Sequence, residues 1–168
     1  ADEGENEEVR YDNNNASKSI LVRPQYGLEL SIEDSSEIVD VNQNANFDID
    51  ITNMGLRTDN FTISVTVMNP EWEITFPSVI SDVTSNTTAN FAATFTPGTN
   101  VTATVHQFTV TATSEGNSSR FASVFVNIEV NQYYGIDLVM PLSEQRVFPG
   151  TTLHYPVRIT NQGNGDDT

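Results

Sequence analysis

Slid along itself by 108 residues, this sequence matches without a gap. Tyr26-Gly27-Leu28-Glu29-Leu30 falls on Tyr134-Gly135-Ile136-Asp137-Leu138, Val39 on Val147, Phe47 on Tyr155 and Ile49 on Val157. Ile51-Thr52-Asn53 falls on Ile159-Thr160-Asn161, Gly55 on Gly163 and Asp59 on Asp167, and even Ile20 and Val22 fall on Ile128 and Val130. Strand phase, turn residues and aromatic positions stay aligned together, which chance would not achieve. The period is far longer than that of a solenoid repeat, so each repeat must bury its own core.

The match divides the chain. Residues 1–17 are acidic and Asn-rich with almost nothing to bury, the composition of a flexible leader. Residues 18–25 have the pattern of the last strand of a preceding repeat, 26–133 form one complete unit, and 134–168 open a second, incomplete one. Within the complete unit, alternation places the strands. Leu28, Leu30 and Ile32 share a face, as do Phe47, Ile49 and Ile51, while Asp48 and Asp50 point away. Asn53-Met54-Gly55 is a turn, followed by Phe61, Ile63, Val65 and Val67 inward. Trp72, Ile74 and Phe76 alternate next, then Phe91, Ala93 and Phe95, ending at Pro97-Gly98. Phe108, Val110 and Ala112 lead to a hairpin at Glu115-Gly116-Asn117, and Ala122, Val124, Val126, Ile128 and Val130 close the unit. About seven short strands with regular turn signals predict an all-β fold, an immunoglobulin-like antiparallel β-sandwich in tandem repeats.

The order Ile51-Thr52-Asn53-Met54-Gly55, Asp59-Asn60-Phe61-Thr62-Ile63, Pro70-Glu71-Trp72-Glu73-Ile74, Phe95-Thr96-Pro97-Gly98 and a final Val-rich strand resembles the NPCBM-associated, alpha-galactosidase-associated immunoglobulin-like domains. It is also similar to the CARDB cell-adhesion-related domain. The resemblance covers residues 26–133 and begins again at 134. It implies a spacer or adhesive module of archaeal and bacterial surface proteins, S-layer-like proteins and secreted glycosidases, with no catalytic residues to carry over. The Arg57-Thr58-Asp59 stretch departs from it where relatives often have a smaller or polar residue.

The formal net charge is −16, and seven Lys and Arg are scattered, whereas a phosphate backbone or an anionic membrane demands clustered cations; nucleic acid is not an expected partner. No apolar run approaches the ~20 residues that span a bilayer, so direct membrane insertion is not expected either. With no cysteine, neither disulfides nor thiolate chemistry contributes. The acidic opening reads as a mature N-terminus left by signal removal, the alternative being an arbitrary edge. An extracellular, cell-surface location is expected.

Candidates for chemistry are few. His106 lies in a Thr- and Val-rich strand and His154 in the second repeat, and neither has the company that a hydrolase needs. Glu33-Asp34, Asp48 with Asp50, and Asp166-Asp167 could offer oxygen ligands to calcium, without the dense acid loop of a known motif. The calcium candidates are Asp59 and Asp167, near a repeat boundary. Trp72 invites a sugar-stacking reading, but its alternation with Ile74 and Phe76 assigns it to the core. Phe121 and Phe125 lie out of phase with the buried face, and together with Ile20 and Val22 they are candidates for an interaction surface. Asn-x-Ser/Thr sequons stand at Asn15, Asn60, Asn86, Asn100 and Asn117, with Asn86, Asn100 and Asn117 at loops where a glycan could attach.

The residues thus point to a non-catalytic extracellular protein, structural or adhesive, part of a surface-layer-like array. Its partners would be neighbouring repeats or identical subunits, surface glycans or other surface proteins. Two other readings stand beside it. One is an accessory module of a secreted glycosidase or protease. The other is a filament subunit whose N-terminal strand docks into its neighbour by donor-strand exchange.

Overall fold

A computed structural model describes residues 23–66, 70–141 and 144–167. Among the described residues every regular element is a β-strand and there is no helix.

Two sheets carry the first unit. In one, β1 (Leu28–Ile32), β3 (Ala45–Asn53), β7 (Thr88–Pro97) and β5 (Trp72–Thr75) lie in that order, all antiparallel. In the other the order is β2 (Ser36–Val39), β9 (Phe121–Val130), β8 (Val105–Ser114), β4 (Asp59–Val65) and β6 (Val79–Val83). Here β2 runs parallel to β9 and the remaining neighbours are antiparallel. The chain changes sheet at residues 33–35, where the Asn127 amide donates to Ser35 O at 2.8 Å.

Period-two sequence makes this possible, because alternate side chains of a strand point to opposite faces. In β3, Phe47, Ile49 and Ile51 are buried while Asp48 and Asp50 face solvent. In β8, Phe108, Val110 and Ala112 are buried, with Gln107 and Thr109 between them on the opposite face. The two inner faces close on each other as a β-sandwich. A chain of rings crosses the layer: Phe47 stands edge-on to Phe95 at 5.7 Å, Phe95 meets Phe108 at 4.9 Å, and Phe108 meets Trp72 at 4.9 Å. Each large side chain so buried contributes about 1.5–3 kcal/mol.

The first unit has nine strands where the alternation predicted about seven. The additional two, β2 and β6, are short edge strands whose outward residues dominate, so that only Val39 and Val83 are fully buried and no alternation of useful length develops. β4 ends at Val65, and Val67 lies outside the described residues. The two outer faces differ in chemistry. The four-stranded sheet shows Glu29, Asp48, Asp50 and Glu73 to solvent, the five-stranded one Phe121, Phe125 and threonines.

A third, two-stranded sheet follows, in which β10 (Ile136–Val139) pairs antiparallel with β11 (Arg158–Asn161).

Candidate functional site

The corner after β3 is built around Asn53. Its side chain is fully buried in place of an apolar residue, and that is tolerable only because every polar atom is paired. Oδ1 accepts from the Gly55 amide at 2.9 Å, and Nδ2 donates to Arg57 O at 2.8 Å and Val83 O at 2.7 Å. The corner is tight enough to exclude a side chain at Gly55, where a Cβ would stand 2.7 Å from Gln25 O. Met54 N closes the corner onto Gly27 O at 2.9 Å.

All of this recurs 108 residues later, and so does the strand register. Leu28 pairs with Asn53 and Leu30 with Ile51; Ile136 pairs with Asn161 and Leu138 with Ile159. Asn161 Oδ1 accepts from Gly163 N at 2.7 Å, Asn161 Nδ2 donates to Gly165 O at 2.8 Å, and Gln162 N donates to Gly135 O at 2.8 Å. A Cβ on Gly163 would stand 2.5 Å from Tyr133 O, the counterpart of Gln25 O.

The second corner also grips the first unit. Asn164 is buried at the junction, and its Oδ1 accepts from Tyr133 N at 2.9 Å while its Nδ2 donates to Asn131 O at 3.0 Å. Its backbone carbonyl accepts from Ala103 N at 3.0 Å. Gln132 Nε2 donates to Asp166 O at 3.1 Å. Beside this clamp lies an open groove of about 710 Å³, lined by Gln132, Tyr134, Gly135, Ile136, Asp166 and Asp167. The self-match did not single out Asn164, because its counterpart is Leu56; the break in the repeat was the available signal.

The other candidates fall as follows. Asp59 is buried and its oxygens are engaged by protein donors: Oδ1 by Asn60 N at 2.9 Å and Gly116 N at 3.0 Å, Oδ2 by the Ser114 hydroxyl. It ties the β8–β9 hairpin to the start of β4. Asp167 is exposed at the groove, and among the described residues no three His, Cys, Asp or Glu side chains converge as a metal site would require. Trp72 is buried, stacked edge-on against Phe108 and, at 5.3 Å, against His106, as its alternation predicts. His106 is half-buried with Nε2 2.9 Å from Thr102 O, and His154 is exposed. Phe121 and Phe125 are exposed on β9, opposite Thr113 and Thr109 of β8. Ile38 and Val105, which sequence reasoning passed over, are exposed on either side of Glu129 and line a second groove of about 330 Å³. Ile20, Val22 and Asn15 lie outside the described residues.

Of the remaining sequons, Asn86, Asn100 and Asn117 are exposed in loops. Asn60 is half-buried, with its Nδ2 donating to Glu115 Oε2 at 2.9 Å and its Oδ1 accepting from Asp82 N at 2.9 Å. No helix of the described residues is long and apolar enough to cross a membrane.

No family model and no curated protein matches the chain. Among solved structures it is similar to part of a family 123 glycoside hydrolase from Clostridium perfringens, at 11% identity and a TM-score of 0.46 over 61% of this chain. It is also similar to domains 4 and 5 of the S-layer protein SbsC, at 16% identity and a TM-score of 0.38 over 63% of this chain. A third is the SrpA adhesin from Streptococcus sanguinis, at 13% identity and a TM-score of 0.44 over 63% of this chain. The chain spans 27%, 53% and 58% of the lengths of those three, in that order.

Proposed function

We propose that the chain is part of a tandem array of immunoglobulin-like sandwich units that serves outside the cell, at its surface, as a non-catalytic spacer or adhesive element. One observation carries the reading: two hairpins 108 residues apart share strand register, corner hydrogen bonds and an obligatory glycine. A repeated unit whose polar side chains are spent on corners and junctions is suited to bearing load and spacing. The acidic surface supports solubility outside the cell and disfavours polyanionic partners. The resemblance to NPCBM-associated and CARDB domains belongs to the same proposal.

The test is localisation. An antibody raised against the purified protein should label the outer surface of intact source cells in electron microscopy, and external protease should remove the label. Label confined to the cell interior would overturn the proposal.

A further inference from the structure

The β10–β11 hairpin presents an apolar face whose counterpart in the first unit is covered. Leu30 is 9% exposed and Leu138 62%, Ile49 0% and Val157 51%, Ile51 0% and Ile159 68%. The first unit also shows what covers such a face. β7 pairs antiparallel with β3 along its free edge, from Ala45 opposite Phe95 to Thr52 opposite Thr88, and the five-stranded sheet closes over the inner side. A polar marker accompanies the apolar one. Asn53 Nδ2 donates to two carbonyls, Arg57 O and Val83 O at the end of β6, whereas Asn161 Nδ2 donates to Gly165 O and stands ready for a second.

Resting on the array reading, we infer that β10–β11 is the receiving half of a second sandwich, and that further strands of the same polypeptide cover it. The strand that pairs with β11 runs antiparallel to it and carries the alternation of β7, large-small-large as in Phe91, Ala93 and Phe95. A strand-end carbonyl equivalent to Val83 O reaches Asn161 Nδ2. The corner argues for the same polypeptide rather than a second copy. Asn53, Gly55 and Arg57 turn the chain directly towards β4, and Asn161, Gly163 and Gly165 already hold the same turn, with Asp167 where Asp59 opens β4. A second copy could not donate its own β7, which is central in its sheet. Edge strands with exposed apolar faces recruit partners, so a face of this kind needs a defined occupant.

The test appends residues 61–133 of this sequence after Thr168, which supplies every strand equivalent from β4 to β9. Hydrogen exchange at Val157 and Ile159 should slow at least tenfold relative to the unextended chain, and binding of a hydrophobic dye should fall. Ile159→Asp in the extended chain should abolish that protection and leave Ile49 and Ile51 protected. If the appended segment fails to fold, a peptide of residues 88–97 added to the unextended chain must perturb the amide resonances of residues 158–161. Neither protection nor perturbation overturns the inference. So does a concentration-dependent dimer of the unextended chain that protects residues 158–161 without any added strand. A failure here leaves surface labelling of the source cells unaffected, so it is distinguishable from a failure of the array reading.

Discussion

Asn161 repeats the hydrogen bonds of Asn53, accepting from Gly163 N at 2.7 Å where Asn53 accepts from Gly55 N at 2.9 Å, and both amides donate at 2.8 Å to the carbonyl four residues on. Their burial differs completely, because Asn53 lies under a closed sandwich and Asn161 lies at an uncovered edge. The same local chemistry therefore has two energetic weights. Substituting Asn53→Ala should destabilise the first unit by about 2–4 kcal/mol, since the Gly55 amide, Arg57 O and Val83 O all lose a partner beside a dry core. Asn161→Ala should move the urea midpoint of that unit by less than about 0.5 kcal/mol. Equal effects would mean that burial does not set the cost.

Trp72 joins the rings that link the two sheets. Its fluorescence should be blue-shifted and little quenched by iodide in the native state, and Trp72→Ala should cost about 3–5 kcal/mol in chemical denaturation. A red, freely quenched spectrum would contradict its place in the core.

Asp59 accepts from Asn60 N, Gly116 N and the Ser114 hydroxyl. Replacing it by Ala strips a buried hydroxyl and an amide of a charged acceptor, and a loss of about 2–4 kcal/mol is expected. With those oxygens engaged, millimolar calcium should not raise the thermal midpoint of the first unit. A calcium-dependent rise that vanishes in Asp59→Ala would show that the ion displaces these donors.

Asn164 holds the second corner to Tyr133 and Asn131. Asn164→Leu, which installs the residue found at the equivalent position of the first corner, should speed hydrogen exchange at Tyr133 N and Ala103 N several-fold. The midpoint of the first unit should change by less than about 0.5 kcal/mol. Unchanged exchange would mean that the clamp is held elsewhere.

Phe121 and Phe125 are exposed on one strand face, so Phe121→Ser with Phe125→Ser should leave the unfolding midpoint within about 1 kcal/mol of the parent. A much larger loss would show that these rings serve the core.

The strands with long alternation were legible from sequence, since Phe47-Asp48-Ile49-Asp50-Ile51 admits only one assignment of faces to core and solvent. β2 and β6 were not, because an edge strand with one buried residue carries no periodic signal. Asn53 and Gly55 were readable as a turn, but not as the buried amide and the excluded side chain that make the turn obligatory. That distinction depends on Val83 O and Gln25 O, which are distant in sequence or on another strand.

What the sequence determined by itself is the repeat, its period and the phase of its apolar faces, because these are properties of residue order and need no partner to exist. Only the tertiary structure decided the weight of each position. Burial depends on what the fold brings over a face: the same alternation that is sealed at Ile51 stands open at Ile159, and an asparagine where the first repeat has Leu56 becomes the clamp between two units. Desolvation and pairing are long-range, and their energies are set by which strands meet rather than by which residues adjoin.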